Sequence, residues 1–151
     1  MATVAARKEY GFVITNHVRE RFVERFSRES RDFIHLSSRC RGCELCRELT
    51  FRLTELVNQN KAMWDKIICA KLHDAEDVKI FNNNAVFMDY MYKHYGYNRF
   101  RFLVEGYILF VVIEADGQQI VRTCMNVNYP VNGSRIIADF INRPKYNRRA
   151  V

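Results

Sequence analysis

Three runs in the last third of the chain decide the fold: Arg99-Phe-Arg-Phe-Leu-Val-Glu105, Tyr107-Ile-Leu-Phe-Val-Val-Ile-Glu114 and Gln119-Ile-Val-Arg-Thr-Cys-Met-Asn-Val-Asn128. All are rich in β-branched and aromatic residues, which fit a pleated, half-buried surface. Only Glu105-Gly106 and Ala115-Asp116-Gly117-Gln118 separate them, and short Gly-containing separators between such runs signal hairpins. The expectation is an antiparallel three-stranded meander, which an earlier edge strand could extend.

Upstream, the apolar spacing becomes helical. Residues 15 to 27 read as an amphipathic helix with Thr15 or Asn16 as its N-cap and Val18, Phe22 and Phe26 as its core stripe. From Arg47 to Leu72, the residues Leu49, Leu53, Leu56, Val57, Trp64, Ile67, Ile68 and Leu72 recur at helical intervals, and Asn58-Gln59-Asn60 divides the stretch in two. Asn82-Asn83-Asn84 is a turn signal, and Val86 to Tyr95 form one more short helix stopped by Gly96. Residues 28–46 are charged and poorly periodic, as a loop would be. The first eleven residues read as a loose arm, and 134–142 as a short closing helix. Helices first and a meander last define an α+β class, with N-terminal helices packed on a small C-terminal antiparallel meander. Residues 1–151 form one domain in this reading, with 28–73 as a loop and helical insertion and 135–151 as a basic tail.

The composition bounds the function. A chain of 151 residues that is 48% hydrophobic, with eleven Phe and eight Tyr, can bury one substantial core. No apolar run approaches the roughly 20 residues needed to cross a bilayer, and the N-terminus lacks a signal-peptide apolar core. A soluble cytoplasmic protein with no membrane role is expected. The net charge of +7 favours a polyanionic partner. Five of the basic residues, Arg135, Arg143, Lys145, Arg148 and Arg149, lie in the last 17 residues against the single acid Asp139. With only six glycines there is no phosphate-cradling loop motif and no nucleophile-elbow motif.

The first helix carries the chemistry. His17, Arg21 and Arg25 stand four residues apart and therefore share one helix face. His17 lies at the helix start, where free N–H groups already favour an anion. One imidazole that titrates near neutral pH beside two permanent cations suits phosphate binding with acid–base help. The plainer alternative pairs these arginines with Glu20, Glu24 or Glu29.

The pattern His17-x-x-x-Arg21-Phe22-x-x-Arg25, preceded by Ile14-Thr15-Asn16, resembles small phage- and toxin-associated proteins of the barnase/colicin/RelE-like ribonuclease superfamily. The strand pair Phe110–Ile113 and Gln119–Thr123 is similar to their late strands, where a Thr or Ser faces the site. The resemblance spans the first helix and the last three strands; residues 28–95 lie outside it. It implies helices on a small sheet whose concave face holds RNA, and a metal-independent endoribonuclease or toxin-like RNA-binding protein. Cleavage would proceed by attack of the neighbouring 2′-hydroxyl on the scissile phosphate, with no cofactor required. His17 would be base or acid, Arg21 and Arg25 would hold phosphate oxygens, and Thr123 would donate one hydrogen bond. Arg101 and Arg122 are strand arginines that could face the same concavity. A neutralising protein partner would accompany such a toxin.

Two further groups stand out. Tyr90, Tyr92, His94, Tyr95 and Tyr97 precede Arg99 and Arg101, and could stack exposed bases or simply cover the sheet edge. Within this group, His94 is a second acid–base candidate and Tyr97 a candidate RNA contact. The run Cys40-x-x-Cys43-x-x-Cys46 has a spacing that lets thiolates converge on one ion, with His35, Cys69 or His73 as the fourth zinc ligand. Cys69 and Cys124 sit among apolar neighbours and read as buried thiols. The cysteine run supports an alternative function: a non-enzymatic nucleic-acid- or protein-binding adaptor, zinc-stabilised through Cys40, Cys43 and Cys46 with His35.

Overall fold

The computed structural model describes residues 11–37 and 42–127. Most of the expected N-terminal arm, Cys40, the helix over 134–142 and the basic tail lie outside the described residues. The chain runs β1 (Val13–Ile14), α1 (Asn16–Phe26), a run of 3-10 turns (Arg28–Ser37), α2 (Glu44–Gln59), α3 (Lys61–Asp74), β2 (Glu76–Asp77), a 3-10 turn (Lys79–Phe81), α4 (Ala85–Tyr95), β3 (Arg99–Glu105), β4 (Ile108–Ala115) and β5 (Gln118–Asn126). The fold is α+β, with helices first and the meander last. No helix among the described residues is long and apolar enough to cross a membrane.

Local chemistry sets the boundaries. Thr15 caps α1, its Oγ1 accepting from the Val18 N–H at 3.2 Å, and Asn84 caps α4 in the same way through Phe87 at 2.9 Å. Gly96 stops α4 at φ 85°, a conformation that costs glycine little. Asn60 separates α2 from α3, as its polar neighbourhood suggests. Helix α2 begins at Glu44 rather than Arg47 because Cys43 acts as its cap, with Sγ accepting from the Cys46 N–H at 3.3 Å. Cysteine is not a favoured cap residue, so the sequence hides this start. Between β4 and β5, Asp116 and Gly117 both take positive φ, 51° and 73°, which makes the two-residue turn that matches strand twist.

The sheet order is β1-β5-β4-β3-β2. The central meander is antiparallel as expected, β2 extends it beyond β3, and β1 joins β5 in parallel, so the complete sheet is mixed. One face, presented by Leu103, Ile108, Phe110, Val112, Val121 and Cys124, packs on α1, α2 and α3 through Val18, Phe22, Leu49, Leu53, Trp64 and Ile68. The other, presented by Phe102, Val104, Leu109, Val111, Ile113 and Met125, packs on Phe81 and on Phe87, Met88 and Met91 of α4. Strand β4 is buried from Ile108 to Ile113, the unbroken apolar run of a strand covered on both sides. The sheet therefore offers no open concave face to a ligand along this strand. One stretch left uncovered by a neighbouring strand is β5 beyond its short pairing with β1, where α1 lies alongside.

Inside the larger core sits one ion pair. Arg19 on α1 and Asp65 on α3 are 1% and 2% exposed, joined at 2.6 Å (Nε to Oδ1) and 2.9 Å (Nη2 to Oδ2). Arg19 also donates from Nη1 to Asn16 Oδ1 at 2.6 Å. Losing one partner strands the other charge in a dry interior. Asp65→Ala is expected to destabilise the fold by about 3–5 kcal/mol in denaturant titration, while an Arg19→Met, Asp65→Leu double variant recovers most of the loss. Equal stability of Asp65→Ala and the parent would show that the pair is dispensable.

Candidate functional site

Helix α1 lies along β5 through two bonds to strand carbonyls. Thr15 Oγ1 donates to the Val121 carbonyl at 2.9 Å, and Arg25 Nη1 donates to the Cys124 carbonyl at 3.0 Å. Between these two points the ladder breaks register. Val112 pairs with Val121 and Val111 with Thr123, which leaves Arg122 as an extra residue in a bulge. The bulge turns Arg122 toward Tyr95 of α4, its guanidinium 5.4 Å from the ring centroid. Residues from α1, β5 and α4 thereby meet at one edge of the sheet.

His17 marks the centre. Burial first, and then the charges of Arg21, Arg122 and Arg25, lower its pKa from 6.5 to about 4. The same three arginines act on Tyr95, whose hydroxyl is nevertheless pushed upward by burial and by Tyr90. His17, Arg21, Arg25 and Arg122 are thus within one electrostatic neighbourhood. The nearby thiol of Cys124 is pushed up to about 12, mainly by burial, and stays protonated, unfit as a nucleophile.

The arginines are partly engaged. Glu24, itself buried, accepts from Arg21 Nη1 at 2.7 Å and lies 3.5 Å from Arg25 Nε. The expected alternative pairing with Glu24 therefore exists alongside the cluster. A guanidinium has five N–H donors, so both side chains, each about one-third exposed, keep donors for an anion. Three guanidiniums against one carboxylate leave an excess of positive charge around a neutral imidazole.

The other expected site residues are placed as follows. Thr123 is 4% exposed and pairs with Val111 on the sheet face that α4 covers. Arg101 is bound elsewhere, donating from Nε to Asp77 Oδ2 at 2.8 Å and from Nη1 to Gln119 Oε1. It does not figure among the charges acting on His17. His94 lies edge-on to Tyr90, with ring centroids 4.0 Å apart. Tyr97 is 89% exposed and stacks on Tyr92 at 4.7 Å. Cys69 and Cys124 are buried thiols, as expected.

A second group forms where the 3-10 turns meet the start of α2. The ligand atoms of His35, Cys43 and Cys46 lie within 4.8 Å of one another, with His35 Nε2 3.4 Å from Cys43 Sγ. Two thiols and one imidazole are a donor set suited to a soft divalent metal. Cys40, the remaining member of the expected set, lies outside the described residues.

Sequence reasoning named Glu24 as a partner of the arginines but missed the buried pair Arg19 with Asp65. A signal existed for that pair: each is a charge within an apolar helical register, Arg19 beside Val18 and Val23, Asp65 beside Trp64, Ile68 and Cys69. Compared with known proteins, the chain matches no protein-family model, no curated protein and no solved structure.

Because His17 gains no proton in the fold until about pH 4, whereas an unfolded histidine gains one near 6.5, its contribution to stability is complete above pH 6.5 and is lost as pH falls toward 4. The His17 ring resonances should titrate near pH 4 by NMR, and stability should fall less between pH 6.5 and 4 in His17→Gln than in the parent. A His17 midpoint above 6 would show that burial and the three arginines do not hold it neutral.

Proposed function

We propose that the edge formed by α1, β5 and α4 binds RNA phosphate and that the protein is a metal-independent endoribonuclease. The observation that carries this reading is the convergence of Arg21, Arg25 and Arg122 on a half-buried, neutral His17. A neutral imidazole can accept the 2′-hydroxyl proton as that oxygen attacks phosphorus, forming a 2′,3′-cyclic phosphate as the P–O5′ bond breaks and the departing 5′-oxygen takes a proton from water. The guanidiniums stabilise the negative charge that grows on the phosphoryl oxygens. As the anion binds, it offsets their field at His17 and raises the imidazole's proton affinity, improving it as a base. The net charge of +7 strengthens encounter with a polyanion. A neutralising protein partner would be acidic and would cover the same edge.

The His35–Cys43–Cys46 group favours a second reading, in which zinc on these residues ties the 3-10 turns to the start of α2 and the protein serves as an RNA- or protein-binding adaptor. Zinc there would supply structural stability. The two readings are compatible, since the two groups occupy different elements.

Incubation of the protein with single-stranded RNA in excess chelator should yield fragments with cyclic-phosphate ends, and His17→Ala should cut the rate by about 10²–10⁴-fold while keeping its circular dichroism. Undiminished cleavage by folded His17→Ala would refute the assigned mechanism, and RNA binding by a parent that cleaves nothing would support the adaptor. Independently, the purified protein should hold one equivalent of zinc after dialysis, and Cys43→Ser should lose it and melt at lower temperature. A protein free of zinc after purification and after reconstitution would overturn the metal assignment.

A further inference from the structure

A cleft of about 400 Å³ opens beside Arg25, within the range of small-molecule pockets. Helix α1 contributes Glu24 and Arg25 to it, the 3-10 turns contribute Arg31 and Ile34, and the end of β5 contributes Met125 and Asn126. Arg25 thus belongs both to this cleft and to the arginine cluster around His17. A polymer held on the cluster has the cleft as its immediate neighbour.

We propose that the cleft receives an unpaired nucleobase of a single-stranded RNA whose adjoining phosphate lies on Arg25; this rests on the phosphate-binding reading above. The lining suits that occupant on three counts. Ile34, 73% exposed, offers apolar surface for the base. Asn126 carries both a donor and acceptors for base edges. Arg31 makes no ion pair among the described residues and is exposed, available to the next phosphate along the strand.

A paired base cannot enter. In an RNA duplex the bases are stacked and their edges paired, and sequence-reading proteins reach them in single-stranded segments instead. The cleft therefore makes the edge selective for single strands, which the arginine cluster alone would not do, because duplex and single strand both present phosphates.

The test is fluorescence anisotropy with a labelled ten-nucleotide single-stranded RNA and with the same sequence as a duplex. Ile34→Trp, which fills the cleft from an exposed position, and Asn126→Ala should each weaken single-strand binding by about tenfold and leave duplex binding unchanged. Arg122→Ala should weaken both. If Arg122→Ala weakens binding while Ile34→Trp and Asn126→Ala do not, the cleft is not the base site and the phosphate reading stands. If Tyr97→Ala alone reproduces the single-strand loss, the base stacks on the exposed Tyr92–Tyr97 pair instead and the proposal is wrong. If Arg122→Ala changes neither affinity, the phosphate reading itself fails. Unchanged thermal melting of Ile34→Trp and Asn126→Ala excludes unfolding as the cause of any loss.

Discussion

Arg19 reaches Asp65 where neither charge can be solvated, and this sets the rotation of α1 about its own axis. With Arg19 turned inward beside Val18, Phe22 and Val23, residues 17, 21 and 25 fall at the boundary between core and solvent. A rotation by one residue would drag an unpaired guanidinium toward water while leaving Asp65 buried alone, at a cost few other contacts could offset. The pair adds specificity of orientation where apolar packing alone, being non-directional, would tolerate several. Two directional bonds complete the placement: Thr15 to the Val121 carbonyl and Arg25 to the Cys124 carbonyl fix α1 along β5 at both ends.

Those two bonds flank the bulge at Arg122, and the arrangement explains why a site can exist here at all. Both faces of the meander are covered, so side chains on the sheet cannot converge on a ligand from an open face. An edge strand also presents unpaired backbone groups that proteins must manage. Here β1 pairs with only Ile120 and Val121, and α1 takes over beyond it, with Arg25 satisfying a strand carbonyl. The bulge supplies what a regular ladder could not, because its extra residue escapes the strict alternation of faces. Arg122 can therefore lie over Tyr95 of α4 and still act on His17 of α1.

Much of this was legible in the residues. The alternation and the Asp116-Gly117 turn give the meander, Thr15 and Gly96 mark two helix ends, and the four-residue spacing of His17, Arg21 and Arg25 gives the half-site on α1. The apolar run Ile108–Ile113 also carried a message that a one-sided meander does not accommodate: a strand without polar alternation is covered twice. Other features depend on three-dimensional register. Nothing in Val121-Arg122-Thr123 marks a bulge, so Arg101 and Arg122 look equivalent as strand arginines, yet one is bound to Asp77 and Gln119 and the other faces the site. The group at His35, Cys43 and Cys46 was visible from its spacing, but its proximity depends on the 3-10 turns that bring His35 back to the start of α2.

The arginines around His17 tie two equilibria together. Burial holds the imidazole neutral, and the arginines add to the penalty because a further positive charge beside them is unfavourable. An anion bound among them cancels part of that field, so it must raise the proton affinity of His17. Linkage is reciprocal: protonation of His17 must then strengthen anion binding by the same factor. Acid therefore acts on this site in two opposite directions, weakening the empty fold as His17 is forced to charge and tightening the hold on any anion bound there. A neutral imidazole that becomes more basic only when an anion arrives is a group whose proton uptake is conditional on that anion, and the geometry of α1 on β5 is what makes it so.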